Sequence, residues 1–276
     1  MNRRHFLALT GAGFAMAAES PSPLVFLADV EARKMRELAA KDTTVQQKIR
    51  RLGERAMKEG PWSVTYHRPA GVETTVGPND YYSEGPYWWP DPKNPKGPYI
   101  RKDGERNPER FMGNRGDIGS ISEAVLALGM NAYFLNDRAS ADRAAKVLNV
   151  WFVDPKTRMN PNLEFGQAVR GHNTGRGTGI IDTVALIHCA IGASLAGASA
   201  KLDLSGVRRW YADYVKWLTT SEKGLDEKKA GNNHATWWTA QVAAFSTFSG
   251  DVAHGVCALS RLARPQPGAA GRELSA

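Results

Sequence analysis

The chain has 276 residues, with 36 Lys and Arg against 28 Asp and Glu, a formal charge of +8, and a hydrophobic share of 42%. That composition excludes wholesale disorder and collagen-like repeats, and the length suits one large domain, or two small ones, around a sizeable core. Two cysteines, Cys189 and Cys257, exclude a disulfide framework or a Cys-rich zinc site and allow at most one bridge.

In chain order, residues 1–17 come first. Arg3-Arg4, then Phe6-Leu7, a mild apolar run and the small-x-small site Ala15-Met16-Ala17 read as a twin-arginine-type export signal. The expected location is periplasmic or secreted. No later run reaches about 18 uninterrupted apolar residues, so stable membrane insertion is not expected. From about Leu24 to Lys58 the pattern is loosely helical. Ile118, Ile121, Val125, Leu128, Ala132 and Leu135 then step by three and four, one face of a long helix. After a turn at Asn136-Asp137, Ala141, Ala144, Val147, Leu148 and Trp151 predict the next helix. Ile180, Val184, Ile187, Ile191 and Leu195 predict another, and Val207, Trp210, Tyr211, Tyr214 and Leu218 one more, with Asp203 or Ser205 as its cap. His234, Trp238, Gln241, Phe245 and Phe248 form the last stripe, preceded by Asn232-Asn233. No period-two pattern marks a strand. The fold class is therefore all-α, with one domain over residues 24–251 and an atypical tail at 252–276 where helical periodicity fades.

Two long stretches interrupt the helices. Residues 60–116 are rich in Pro and Gly and hold Tyr81, Tyr82, Tyr87, Trp88 and Trp89, while residues 154–179 are polar and glycine-rich. Loops of that length inside a helical domain are commonly functional. Helical hairpins joined by alternating short turns and long loops suggest a toroid with the loops gathered over one open end.

The motifs in these loops each admit two readings. The Tyr87-Trp88-Trp89 run offers flat rings that stack on pyranose faces, or a hydrophobic plug that anchors its loop. Asn232-Asn233-His234 is either a helix cap or a cluster of amides and an imidazole at a helix N-terminus, where anions bind. Arg170, His172 and Arg176 lie on a glycine frame that can grip carboxylates, or they are solvated loop charges. His67 and His188 are weaker candidates, His188 being expected to pack inside its helix. Glu164, Asp117 and Asp182 are the nearby carboxylates, with Asp117 equally a cap. No pair has metal-ligand spacing. The positive charge is scattered among acids and no nucleic-acid-binding module is present, so with export an acidic polysaccharide is the better polyanionic partner than nucleic acid.

Together, NDYYSEGPYWWPDP at 79–92, IRKDGERNPE at 100–109, GRGTGIID at 175–182 and NNHATWW at 232–238 resemble the alginate lyase family over about residues 60–250. The resemblance implies an incomplete α/α toroid and β-elimination on a uronic acid polymer. It implies that Asn233 helps bind the uronate carboxylate and that His234 assists its neutralisation or serves as base. Tyr82, Tyr87, Trp88, Trp89 and Trp237 would line sugar subsites, with Arg170, His172 and Arg176 as further substrate contacts. No metal or organic cofactor is implied. The family's remaining catalytic Arg and Tyr lie well after the His, whereas this chain ends 42 residues after His234, its last tyrosine is Tyr214, and Arg261 and Arg264 lie in no family motif. A C-terminally truncated toroid, from a frameshift or an early stop, is the expectation. Two rival readings accompany it, namely a polysaccharide-binding protein with a crippled site and a toroidal glycoside hydrolase using two carboxylates.

Overall fold

The computed structural model describes residues 24–25, 27–69, 71 and 75–262. The export signal expected at 1–17, Arg264 and the end of the expected tail lie outside the described residues, and so does the Arg261 side chain.

Two helices, α1 (Asp29–Lys41) and α2 (Thr43–Ala56), fill the loosely helical N-terminal stretch. Asp42 separates them, and its carboxylate accepts from the Thr44 and Val45 N–H groups as the cap of α2. Then come α3 (Gly113–Leu135) and α4 (Arg138–Leu148), joined by Asn136 in the left-handed region, a conformation asparagine tolerates. Beyond them lie α5 (Leu186–Ala200), α6 (Ser205–Thr220), α7 (Glu222–Lys229), α8 (Asn233–Ser249) and α9 (Val252–Leu262). α3, α5 and α8 stand side by side. α4 packs against α3 and α5, α6 packs against α8, and α9 covers α8. This double row of helical hairpins is the incomplete α/α toroid. Its core holds Phe152, Trp210, Tyr211, Tyr214, Phe245 and Phe248 in mutual ring contact.

The buried faces of α3, α4, α6 and α8 are those the spacing predicts. α5 differs. It begins at Leu186 rather than near Ile180, where residues 177–183 form a 3-10 helix, and it buries Leu186, Cys189, Ala190, Ala193 and Ala196 beside the expected Leu195, while Ile187 and Ile191 are only partly buried. The reason is its central position, which places small residues against its neighbours: a Cβ on Gly129 of α3 would collide with the Gly192 carbonyl of α5, and a Cβ on Gly192 with that of Val125. α3 and the run 177–200 are long and apolar enough to cross a membrane by length and composition, and both are mostly buried in this core. His188, expected to be packed, is exposed on α5. Residues 252–262, read as the start of an aperiodic tail, form α9. Cys189 and Cys257 are free thiols, and burial pushes Cys189 up to about 12.

Short strands also appear where none is expected. β1 (Tyr82–Glu84) pairs in parallel with β4 (Phe165–Ala168), and β2 (Trp88–Trp89) pairs antiparallel with β3 (Ile100–Arg101). At two to four residues each, none is long enough to show an alternating pattern. The parallel pair joins the aromatic loop to the glycine-rich loop, and that union positions the site.

Candidate active site

Asp182 is the anchor of the loop assembly. Its carboxylate, 1% exposed, accepts from Tyr81 Oη at 3.0 Å, Ser83 Oγ at 2.6 Å and Gln167 Nε2 at 3.2 Å, and pairs with Arg115 Nε at 3.2 Å. A buried carboxylate needs such a set of donors to stay charged. Tyr81 is fully buried, and this burial together with the Asp182 charge raises its phenol well above the ordinary range. Gln167 is held in the left-handed region at φ 51°, which a non-glycine residue adopts only when its surroundings fix it. They do: its N–H donates to Ser83 Oγ, its amide nitrogen to Asp182, and its amide oxygen accepts from Arg176 Nη2 at 2.8 Å.

The two arginines of the glycine frame part company here. Arg170 Nε pairs with buried Glu84 at 2.8 Å and its guanidinium lies over Tyr99. Arg176 is half-buried with no carboxylate within salt-bridge distance among the described residues, and its Nε has no hydrogen-bond partner. Burial, with Arg101 nearby, lowers its guanidinium from the ordinary value, while Asp182 and Glu227 oppose that fall from a distance. Arg176 is therefore a cation whose direct anionic partner is missing, at a site where a substrate carboxylate can supply it.

The aromatic loop approaches the same place. A Cβ on Gly85 would meet Arg176 Nη2 at 3.2 Å and Trp88 Cδ1 at 2.8 Å, so a glycine lets ring, guanidinium and backbone close together. Trp88 packs on His172 with ring centroids 4.8 Å apart, and His172 Nε2 lies 2.8 Å from the Tyr99 carbonyl. Trp89 donates to the Glu105 carbonyl and lies under the Lys102 ammonium. Tyr87, Trp88 and Trp89 are all half-buried, keeping part of each ring open. Tyr82 is buried instead, packed on Phe111 with its hydroxyl donating to Glu84 Oε1, so it supports the loop from within.

On the helical side, Asn232 caps α8, its side chain accepting from the His234 N–H at 3.0 Å. The cap reading of the triplet thus belongs to Asn232, which leaves Asn233 exposed in the first turn and its side chain without a hydrogen bond to the described residues. His234 Nδ1 lies 2.6 Å from Oε1 of Glu227, whose side chain is 1% exposed. Trp237, three residues on and so on the same helix face, is 41% exposed. The turn after Arg176 meets α7: a Cβ on Gly177 would touch the Lys223 carbonyl and approach Asp226 and the Glu227 nitrogen. Trp88 and Arg176 thus meet at Gly85, and the Arg176 guanidinium feels the charge of Glu227, the partner of His234.

Sequence reasoning passes over Glu227, Gln167 and Arg115. Glu227 lies in the run Asp226-Glu227-Lys228-Lys229, which reads as a solvated charged face. Its seven-residue spacing ahead of His234, across a Gly-Asn break, is the available signal. Of the other carboxylates, Glu164 pairs with Lys223 and accepts from Trp217, and Asp117 faces His67.

A sequence profile described as alginate lyase matches residues 67–264, running past Asp251 into and beyond α9. Among solved structures, an alginate lyase from Bacteroides ovatus superposes with a TM-score of 0.76 at 35% identity, covering 85% of this chain and 63% of that one. This chain thus spans less than two thirds of that protein's length. No curated protein matches the sequence.

Proposed function

Because the chain belongs to the alginate lyase family, we propose that it is a polysaccharide lyase that cleaves a uronate-containing polysaccharide such as alginate by β-elimination. The C5 proton of a uronate is hard to remove while the adjacent carboxylate carries its full charge, so the site must stabilise the enolate that develops there. The Asn233 amide, at the positive end of α8, and the Arg176 guanidinium, which has no direct carboxylate partner among the described residues, supply that stabilisation. His234 takes the C5 proton or, for the opposite configuration at C5, assists the neutralisation. As the C5–H electrons form the C4=C5 double bond, the C4–O4 bond breaks and the departing O4 takes a proton from water. Tyr87, Trp88, Trp89 and Trp237 present rings to the pyranose faces.

One observation carries this reading: Asn233 and His234 share the first turn of α8, and His234 contacts Glu227, whose charge also reaches Arg176 of the loop assembly. The hydrolase alternative gains nothing, because Asp182 is enclosed by its donors and Glu164 is tied to Lys223. The signal-like N-terminus supports action in the periplasm or outside the cell.

The test is the ultraviolet absorbance of new C4=C5 ends on alginate. The wild-type protein should generate it, and His234→Ala should abolish it with helical circular dichroism retained. An unchanged rate in that variant would overturn the assignment. Saturable binding to polyuronate with no absorbance change would mark a binding protein instead.

A further inference from the structure

Glu227 has no part in the reaction as just written, yet its carboxylate is among the most enclosed of the described residues and lies 2.6 Å from the reacting imidazole. A charge buried to that degree costs several kcal/mol unless it is paired. Burial accordingly pushes the Glu227 carboxyl above its ordinary value, and the hydrogen bond and charge of His234, with the more distant Arg176, pull it back. The contact is also rigid. Glu227 is on α7, which is capped by Ser221 and closed by the Ala230 N–H to the Glu227 carbonyl, and only residues 230–232 separate α7 from α8. The turn after Arg176 presses on the same stretch of α7.

We propose that Glu227 is a positioning residue for the elimination: its carboxylate accepts the Nδ1–H of His234, so that Nε2, on the far side of the ring, carries the lone pair offered to the substrate. An ionised carboxylate can only accept, so the nitrogen facing it must hold the proton. When Nε2 takes the C5 proton, the resulting imidazolium faces a negative charge already in place. A buried acid behind a catalytic imidazole works in this way in hydrolytic triads. The inference rests on the lyase reading for its kinetic consequence and on geometry alone for the tautomer.

The experiment has two arms. In the first, two-bond 1H–15N spectra of 15N-histidine-labelled protein, without substrate, report which nitrogen of His234 is protonated, with His234→Ala identifying its signals. The Nδ1–H form is expected in the wild type and a shift toward Nε2–H in Glu227→Gln. In the second arm, Glu227→Gln should lower kcat on the order of 10²-fold or more with KM nearly unchanged. Glu227→Asp, which keeps the charge but draws it back by one methylene, should fall between. Should Glu227→Gln fail to fold, the wild-type and Glu227→Asp spectra decide. An Nε2–H wild type, or variants with the wild-type spectrum and kcat, would overturn the proposal. A wild type that makes no unsaturated ends while showing the expected tautomers would sink the lyase reading and leave the hydrogen-bond assignment standing.

Discussion

Asp117 occupies the second turn of α3 with Oδ1 3.5 Å from His67 Nε2 and Oδ2 buried without a hydrogen-bond partner. Burial pushes its carboxyl up to about 6, against the pull of His67. Unfolded, the group binds its proton only below about 4, so from there to about pH 6 the folded protein holds more protons and this contribution to stability is lost as pH rises. Asp117→Asn removes that titration. The melting temperature of the variant relative to wild type should therefore climb as pH is raised from about 4 to about 7. A pH-independent difference would show that the carboxyl titrates normally. At this scale the sequence discloses residue types but not their partners. Asn233 and His234 stand out in the chain because amides and imidazole cluster at a helix start. That Arg170 is neutralised and Arg176 is not depends on Glu84, 86 residues before Arg170.

Among the elements, α4 and α6 are legible because each has one dry face, which imposes a 3.6-residue pattern. α3 and α8 are buried on several sides and are legible because their largest apolar residues still recur at three and four. α5 is legible as a helix but not in its start or its buried face, since neighbours on several sides leave it apolar nearly all round. α7 is eight residues and mostly charged, so its helix depends on the Ser221 cap and on packing against α6 and α8. α9 shows how tertiary contact with α8 orders a segment whose pattern looks weak. The α3–α5 crossing carries a sharp prediction. With Gly129 facing Gly192 at backbone contact, Gly129→Ala must push the helices apart, at a cost of about 1–3 kcal/mol. Thermal unfolding should shift down by several degrees, whereas alanine at Gly116 of the same helix, where a Cβ meets nothing within 4 Å, should not lower it. Equal effects at both positions would mean the crossing is looser than described.

Across the whole molecule, the proposed polyanionic substrate gives the +8 charge and the arginines around the loops a common role. Because exposed charges are screened within about 8–10 Å at physiological salt, KM for alginate should rise as sodium chloride is increased from about 50 to 200 mM, while kcat changes little. A salt-independent KM would shift the weight of binding onto the aromatic rings. Toroid architecture was readable from helix spacing and loop lengths, but the joining of the two loops was not, since it rests on strands of three and four residues whose partners, Tyr82 with Phe165 and Glu84 with Ala168, lie 83 and 84 positions apart. That joining has a consequence for turnover. The Gly85 N–H bonds the Ala168 carbonyl, Tyr99 the Arg170 carbonyl, and Asn160 the Asn79 carbonyl, so three stitches hold one loop to the other. The two loops are thereby tied as one unit. On the lyase proposal, the ring of Trp88 and the guanidinium of Arg176 are therefore expected to release a severed chain together rather than ring by ring.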